Sequence, residues 1–161
     1  MVSNSSAKVI QPPNGLRLKV GGGFGGIDAA AIAKAEEALR AMSDQFGQWL
    51  QDEIDKMDAA WAAIQAQGLT AETAEGLYFR AHDLKGLGGT YQYPLVTRLA
   101  ASLCRLMDEP EKRLTAPKSL LEAHINAIRA VVRDKIQTED HPVGRALAEE
   151  LETQVRVYAA R

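Results

Sequence analysis

From Ile27 onward the apolar residues recur at intervals of three and four, the period of helices that bury one face. Asp28 is placed to cap an alanine-rich first helix running to about Met42. Ser43 and Asp44 then read as the start of a second helix ending near Gly68. Its stripe is Phe46, Trp49, Leu50, Ile54, Met57, Trp61 and Ile64, with both tryptophans read as core. Thr70 and Thr73 predict a capped start for a third helix. Tyr93-Pro94 opens a fourth, to about residue 108, with Val96, Leu99, Leu103, Leu106 and Met107 on one side. Glu109-Pro110 and Pro117 bracket a predicted loop. A fifth helix over about 118–137 buries Leu121, Ile125, Ile128, Val132 and Ile136, and His141-Pro142 separates it from a last one over 143–159.

Short connections between amphipathic helices favour antiparallel neighbours. The fold expected is all-α: an antiparallel up-down four-helix bundle with additional N- and C-terminal helices. Residues 1–26 read differently. A polar, proline-containing start, a short alternating segment LRLKV at 16–20 and the run GGGFGG at 21–26 suggest a flexible arm preceding a helical domain over 27–161, its core at about 43–137. Gly21, Gly23 and Gly26 match the spacing of a dinucleotide-binding turn. That motif needs a second parallel strand and a downstream acid, and the sequence around Phe46 is helical instead. A linker is the better reading.

Composition narrows the partners. Apolar residues make up 46% and charged residues 25% of the 161, enough to build a packed core rather than a disordered chain. A net charge of -2 without a dense basic run gives no reason to expect nucleic acid or an anionic membrane. No apolar run approaches the ~20 residues of a membrane span. The single cysteine, Cys104, forbids an intrachain disulfide and suits a reducing compartment, so a cytoplasmic location is expected. No His or Cys pair has metal-ligand spacing, and His124, His141 and Cys104 read as packed or solvated residues.

The chemistry gathers on the third helix, in the segment 77–91. Its core stripe is Leu77, Ala81, Leu84, Gly88 and Tyr91. At ~100° per residue, His82 lies well off that stripe, with Lys85, Gly86 and Gly89 on its own side and Tyr78 and Phe79 one turn earlier. Each glycine costs a helix interior roughly 1 kcal/mol relative to alanine, so Gly86, Gly88 and Gly89 are expensive if the helix continues. Bare positions beside an imidazole would let another molecule come close, and a lysine one turn on would neutralise a phosphoryl group carried on the ring. Lys85-Gly86 reads equally well as a helix C-terminus, lysine facing the dipole and glycine turning the chain. His82 would then be an ordinary surface residue. Gly88, on the core stripe, is smaller than a bundle would prefer.

His82-x-x-Lys85-Gly86 on an amphipathic helix of an all-helical chain resembles the histidine-containing phosphotransfer (HPt) domains. The resemblance covers about residues 43–137. It implies that His82 accepts and donates a phosphoryl group, that Lys85 neutralises its charge, and that Gly86 and Gly89 leave room for a partner, with Phe79 and Tyr78 as candidates for the docking patch. It further implies response-regulator receiver domains as partners, and a hybrid histidine kinase as a possible donor. No intrinsic cofactor or metal is implied, since the receiver brings the magnesium. A monomer is expected, because one bundle closes its own core. The head and the helix after His141 lie outside the minimal family bundle.

Two alternatives stay in view. His82-Asp83-Leu84-Lys85 is also similar to the phospho-acceptor box of a histidine-kinase dimerisation domain, which would make the chain a dimeric phosphotransferase lacking an ATP domain. Gly86-Leu87 stands where that box carries a polar residue and a proline. A non-catalytic helical adaptor, with His82 incidental, is the other.

Overall fold

The computed structural model describes residues 28–161; the expected arm, with its LRLKV segment and glycine run, lies outside the described residues. The chain divides into two units, 1–39 and 40–161. Six helices are present and no strand occurs among the described residues: α1 (Ala29–Gln67), α2 (Ala71–Thr90), α3 (Pro94–Leu106), α4 (Pro110–Thr115), α5 (Lys118–Arg133) and α6 (Pro142–Ala159). None of them is long and apolar enough to cross a membrane.

Helix boundaries follow local chemistry at several points. The Asp28 carboxylate accepts the Ala30 N–H at 3.2 Å, as a helix cap should. Thr70 and Thr73 form a reciprocal capping box at the start of α2. Pro94, Pro110 and Pro142 each occupy the first turn of a helix, where a missing N–H costs nothing. At the ends of α2 and α5 the chain turns through left-handed residues that are not glycine, Gln92 (φ 65°) and Lys135 (φ 52°). Tyr93 N–H bonds the Gly88 carbonyl at 2.7 Å and Ile136 N–H bonds that of Val131 at 2.9 Å, the long bond of a Schellman turn in each case.

Three expectations are corrected. The break at Ser43-Asp44 is absent, and the first two predicted helices are one helix of 39 residues. A serine and an aspartate inside a run of good helix formers cost only tenths of a kcal/mol each, too little to stop it without a proline or a left-handed residue. The predicted loop after Glu109 contains the short helix α4, nucleated by Pro110. Trp49 is not core: it is 43% exposed, whereas Trp61 on the same helix is buried. Smaller shifts occur on α5, which ends at Arg133, so that Val132 and Ile136 are only partly buried and Val131 takes the core position.

Within the unit 40–161, α3 is the central element. It packs against α2, α5 and α6, which explains why Leu95, Ala100, Ser102 and Cys104 are buried besides its predicted stripe. Close approach of α2 to α3 is possible because Gly88 has no side chain: a Cβ there would stand 2.6 Å from Thr97 Oγ1 and 2.7 Å from Thr97 N. The α6 helix is joined to α3 by a bidentate pair, Arg98 to Glu152 at 2.7 and 2.8 Å. That bond holds the Glu152 carboxyl below its ordinary range. Asp58 and Arg129 join α1 to α5.

His124 is fully buried on α5. The Leu120 carbonyl can only accept, so Nδ1 donates to it at 2.8 Å, and Nε2 accepts from the Ser102 hydroxyl at 2.9 Å. Burial pushes its pKa below the ordinary 6.5, outweighing the opposite pull of the Leu120 carbonyl. The ring is neutral in both folded and unfolded chains above about pH 6.5. Below it, the unfolded chain takes up a proton that the folded core refuses, at about 1.4 kcal/mol per pH unit until the folded value is reached. Urea unfolding at pH 5.5 is therefore expected to give a lower stability than at pH 7.5, with an unchanged m-value. A flat profile would mean that His124 titrates alike in both states.

Candidate functional site

Helix α2 continues without interruption through Lys85 and Gly86 to Thr90. The helix-end reading of Lys85-Gly86 is thereby removed, and the cap lies six residues further on, where the Gln92 turn closes the helix. Leu77, Ala81, Leu84 and Gly88 are buried, and Tyr91, beyond the last turn, is partly so. His82, Lys85, Gly86 and Gly89 are all exposed on the outer face. Of the three histidines, His82 alone is exposed; His124 is in the core, and His141 caps α6 by accepting the Gly144 N–H at 3.2 Å.

The glycines divide by cause. Gly88 is required by the packing of α3. Around Gly86 a Cβ would meet nothing within 4 Å, and at Gly89 only Thr97 Oγ1 at 3.9 Å, an ordinary contact. Neither has a folding reason to be glycine, and each weakens the helix by about 1 kcal/mol relative to alanine. The result is a bare strip beside His82, rimmed by one cation. Lys85 makes no ion pair among the described residues. Its ammonium lies near enough to α3 to pull on the buried Cys104 thiol, which desolvation nonetheless pushes up to about 11. Cys104 is thus packed and unreactive. Asp83 is turned toward Arg80, 3.4 Å away, and not toward His82.

The two aromatic candidates differ in setting. Phe79 is 55% exposed, its ring centroid 6.2 Å from that of Tyr78. Tyr78 is half-buried, its ring centroid 6.4 Å from that of His82 and its face covered by the Arg113 guanidinium at 3.9 Å. Arg113 comes from α4, an element the sequence did not predict, 35 residues along the chain from Tyr78. A second aromatic group was also missed. Phe46 and Trp49 of α1 and Tyr91 at the end of α2 lie with centroids 5.7–6.0 Å apart, Trp49 partly in solvent. Its signal was the offset of Trp49 by one residue from the stripe Leu50–Ile54–Met57.

No group of three or more His, Cys, Asp or Glu that could hold a metal ion occurs among the described residues. What the face offers is one accessible nucleophile, one cation and open approach, the minimum for in-line phosphoryl transfer between two macromolecules. A family model described as Hpt domain matches residues 41–138. No curated protein and no solved structure matches the chain.

Proposed function

We propose, for a chain that belongs to the Hpt domain family, that His82 is the phosphoryl carrier and that the protein shuttles this group between receiver-domain aspartates. Membership supports a phosphotransfer role in two-component signalling, with response-regulator receivers as the partners of such domains. The observation that carries the assignment to His82 is the unbroken helix through Gly86: the bare strip beside the imidazole has no explanation inside the fold.

In this reading a receiver aspartyl phosphate docks over α2. A neutral imidazole nitrogen attacks phosphorus in line, the P–N bond forms, and the P–O bond to the aspartate breaks, returning its carboxylate. The ring's other nitrogen keeps its proton through the attack and can release it to water afterwards. The Lys85 ammonium offsets the phosphoryl charge on the product. Magnesium comes with the receiver. Gly86 and Gly89 admit the partner's loops, and Phe79, an apolar ring in solvent, belongs to the docking surface. We read α1, α2, α3 and α5 as the antiparallel up-down four-helix bundle, supported by the three-residue connections at 68–70 and 91–93.

The test is transfer from a panel of receiver domains charged with acetyl phosphate. An acid-labile, base-stable label mapping to His82 is the expected result. No label from any receiver would favour the adaptor reading, in which the outer face of α2 binds without chemistry.

A further inference from the structure

The transfer just described uses Lys85 and the glycines; it leaves unexplained why the Tyr78 ring is fixed. Side chains on a helix lean toward its N-terminus, so the His82 imidazole leans over the turn that carries Tyr78. The two rings lie 6.4 Å apart with their planes at 40°. Tyr78 cannot swing away freely, because the Arg113 guanidinium covers its face at 3.9 Å. Arg113 is itself anchored: Nε donates to the Met107 carbonyl at 2.7 Å and an Nη to that of Asp108 at 3.4 Å, at the end of α3 where carbonyls lack helical partners. The Tyr78 hydroxyl reaches Asp108 Oδ1 at 3.5 Å, the outer limit of a hydrogen bond. Helix α4, which brings Arg113, is held in turn by the Tyr158 hydroxyl donating to the Thr115 carbonyl at 3.0 Å. A surface arginine and a surface tyrosine on two different helices would ordinarily be loose. Here the end of α3, Arg113, Tyr78 and His82 form a continuous series of contacts.

We propose that Tyr78 and Arg113 are positioning residues for His82: the guanidinium locks the tyrosine ring, and the ring is a wall that confines the imidazole to an orientation presenting a nitrogen outward to the partner. Neither residue touches the phosphoryl group. The inference rests on His82 being the carrier, and it adds a role for α4 that the motif around His82 does not contain.

Single-turnover transfer from a charged receiver would be measured for the wild-type chain and for Arg113→Met, Arg113→Lys, Tyr78→Leu and Tyr78→Phe, alongside thermal unfolding. The His82 ring-proton resonances of each unphosphorylated protein give a readout that needs no transfer. Arg113→Met and Tyr78→Leu are expected to slow transfer about tenfold through loss of alignment. Each should also shift the His82 resonances, since the aromatic ring current beside them moves or disappears. Arg113→Lys, which keeps a cation over the ring, and Tyr78→Phe, which keeps the ring, are expected to restore most of the lost rate. Transfer within about twofold of wild type in both Arg113→Met and Tyr78→Leu overturns the inference while leaving the carrier role intact. Slower transfer with unmoved His82 resonances also overturns it, assigning Tyr78 to partner contact instead. Should the wild-type chain accept no phosphoryl group, the carrier role fails, and unmoved resonances would separately show that the wall is not there.

Discussion

Replacing His82 by Gln is expected to abolish phosphoryl acceptance while leaving the fold intact. Glutamine fills similar space and hydrogen-bonds water, but its amide nitrogen has no available lone pair to attack phosphorus. The imidazole is exposed beside the Tyr78 ring, so the change in stability should stay within about 0.5 kcal/mol, as for most surface substitutions. Acid-labile label and thermal unfolding, measured on the same preparation, check both halves. Label persisting on His82→Gln would move the carrier to His141, the only other histidine not fully inside the core, and would detach the chemistry from α2 altogether. Loss of label together with loss of the cooperative unfolding transition would show instead that His82 supports the fold.

The second large effect separates two glycines two residues apart. Gly88→Ala places a Cβ 2.7 Å from the backbone nitrogen of Thr97 and 3.0 Å from the Tyr93 carbonyl oxygen, neither of which can rotate away. The α2–α3 interface must open, at a cost of about 1–3 kcal/mol. The Thr97 hydroxyl is already buried there with no hydrogen-bond partner among the described residues, a sign of how closely the two helices meet. Gly86→Ala should do the opposite. Its methyl group enters open space, and the helix gains about 1 kcal/mol. Transfer should nevertheless slow, because that space is where the partner is expected to come. Urea midpoints moving in opposite directions, with transfer reduced in the more stable variant, is the pattern that identifies a glycine kept for a visitor. A Gly86→Ala protein that is both more stable and as fast as wild type would remove the close-approach argument.

Much of α2 was legible because its signals are local. The Thr70–Thr73 capping box, the stripe Leu77–Ala81–Leu84–Gly88 and the off-stripe position of His82 all depend on residues within about three turns of one another. Lys85-Gly86 was ambiguous because a helix end and a helix interior can share those two residues. The decision belongs to packing: Leu84 and Gly88 are buried, and Gly88 meets Thr97 of α3 across the turn. The same limit explains the errors. Ser43-Asp44 carries the local marks of a helix start, but the surrounding helix formers override them. Trp49 fitted a stripe by spacing alone, although Leu50 is the residue that faces inward. Arg113 over Tyr78 could not be read at all, since it requires both α4 and the turn that ends α3.

The C-terminal helix also changes what should count as the unit of this protein. The family match stops at residue 138, four residues before α6 begins, and Ala148, Leu151 and Val155 of α6 lie in the same core cluster as Leu95, Leu99 and Leu103. Gly144 lets that helix approach so closely that a Cβ there would stand 2.5 Å from Leu95 Cδ1. An expression fragment cut at the family boundary would lose the cover over one side of α3 and strand Arg98 without Glu152. Such a fragment should be recovered as aggregate or as a loosely packed state that binds hydrophobic dye, whereas a fragment of 40–161 should melt cooperatively. For this chain the inheritable motif and the foldable object have different ends.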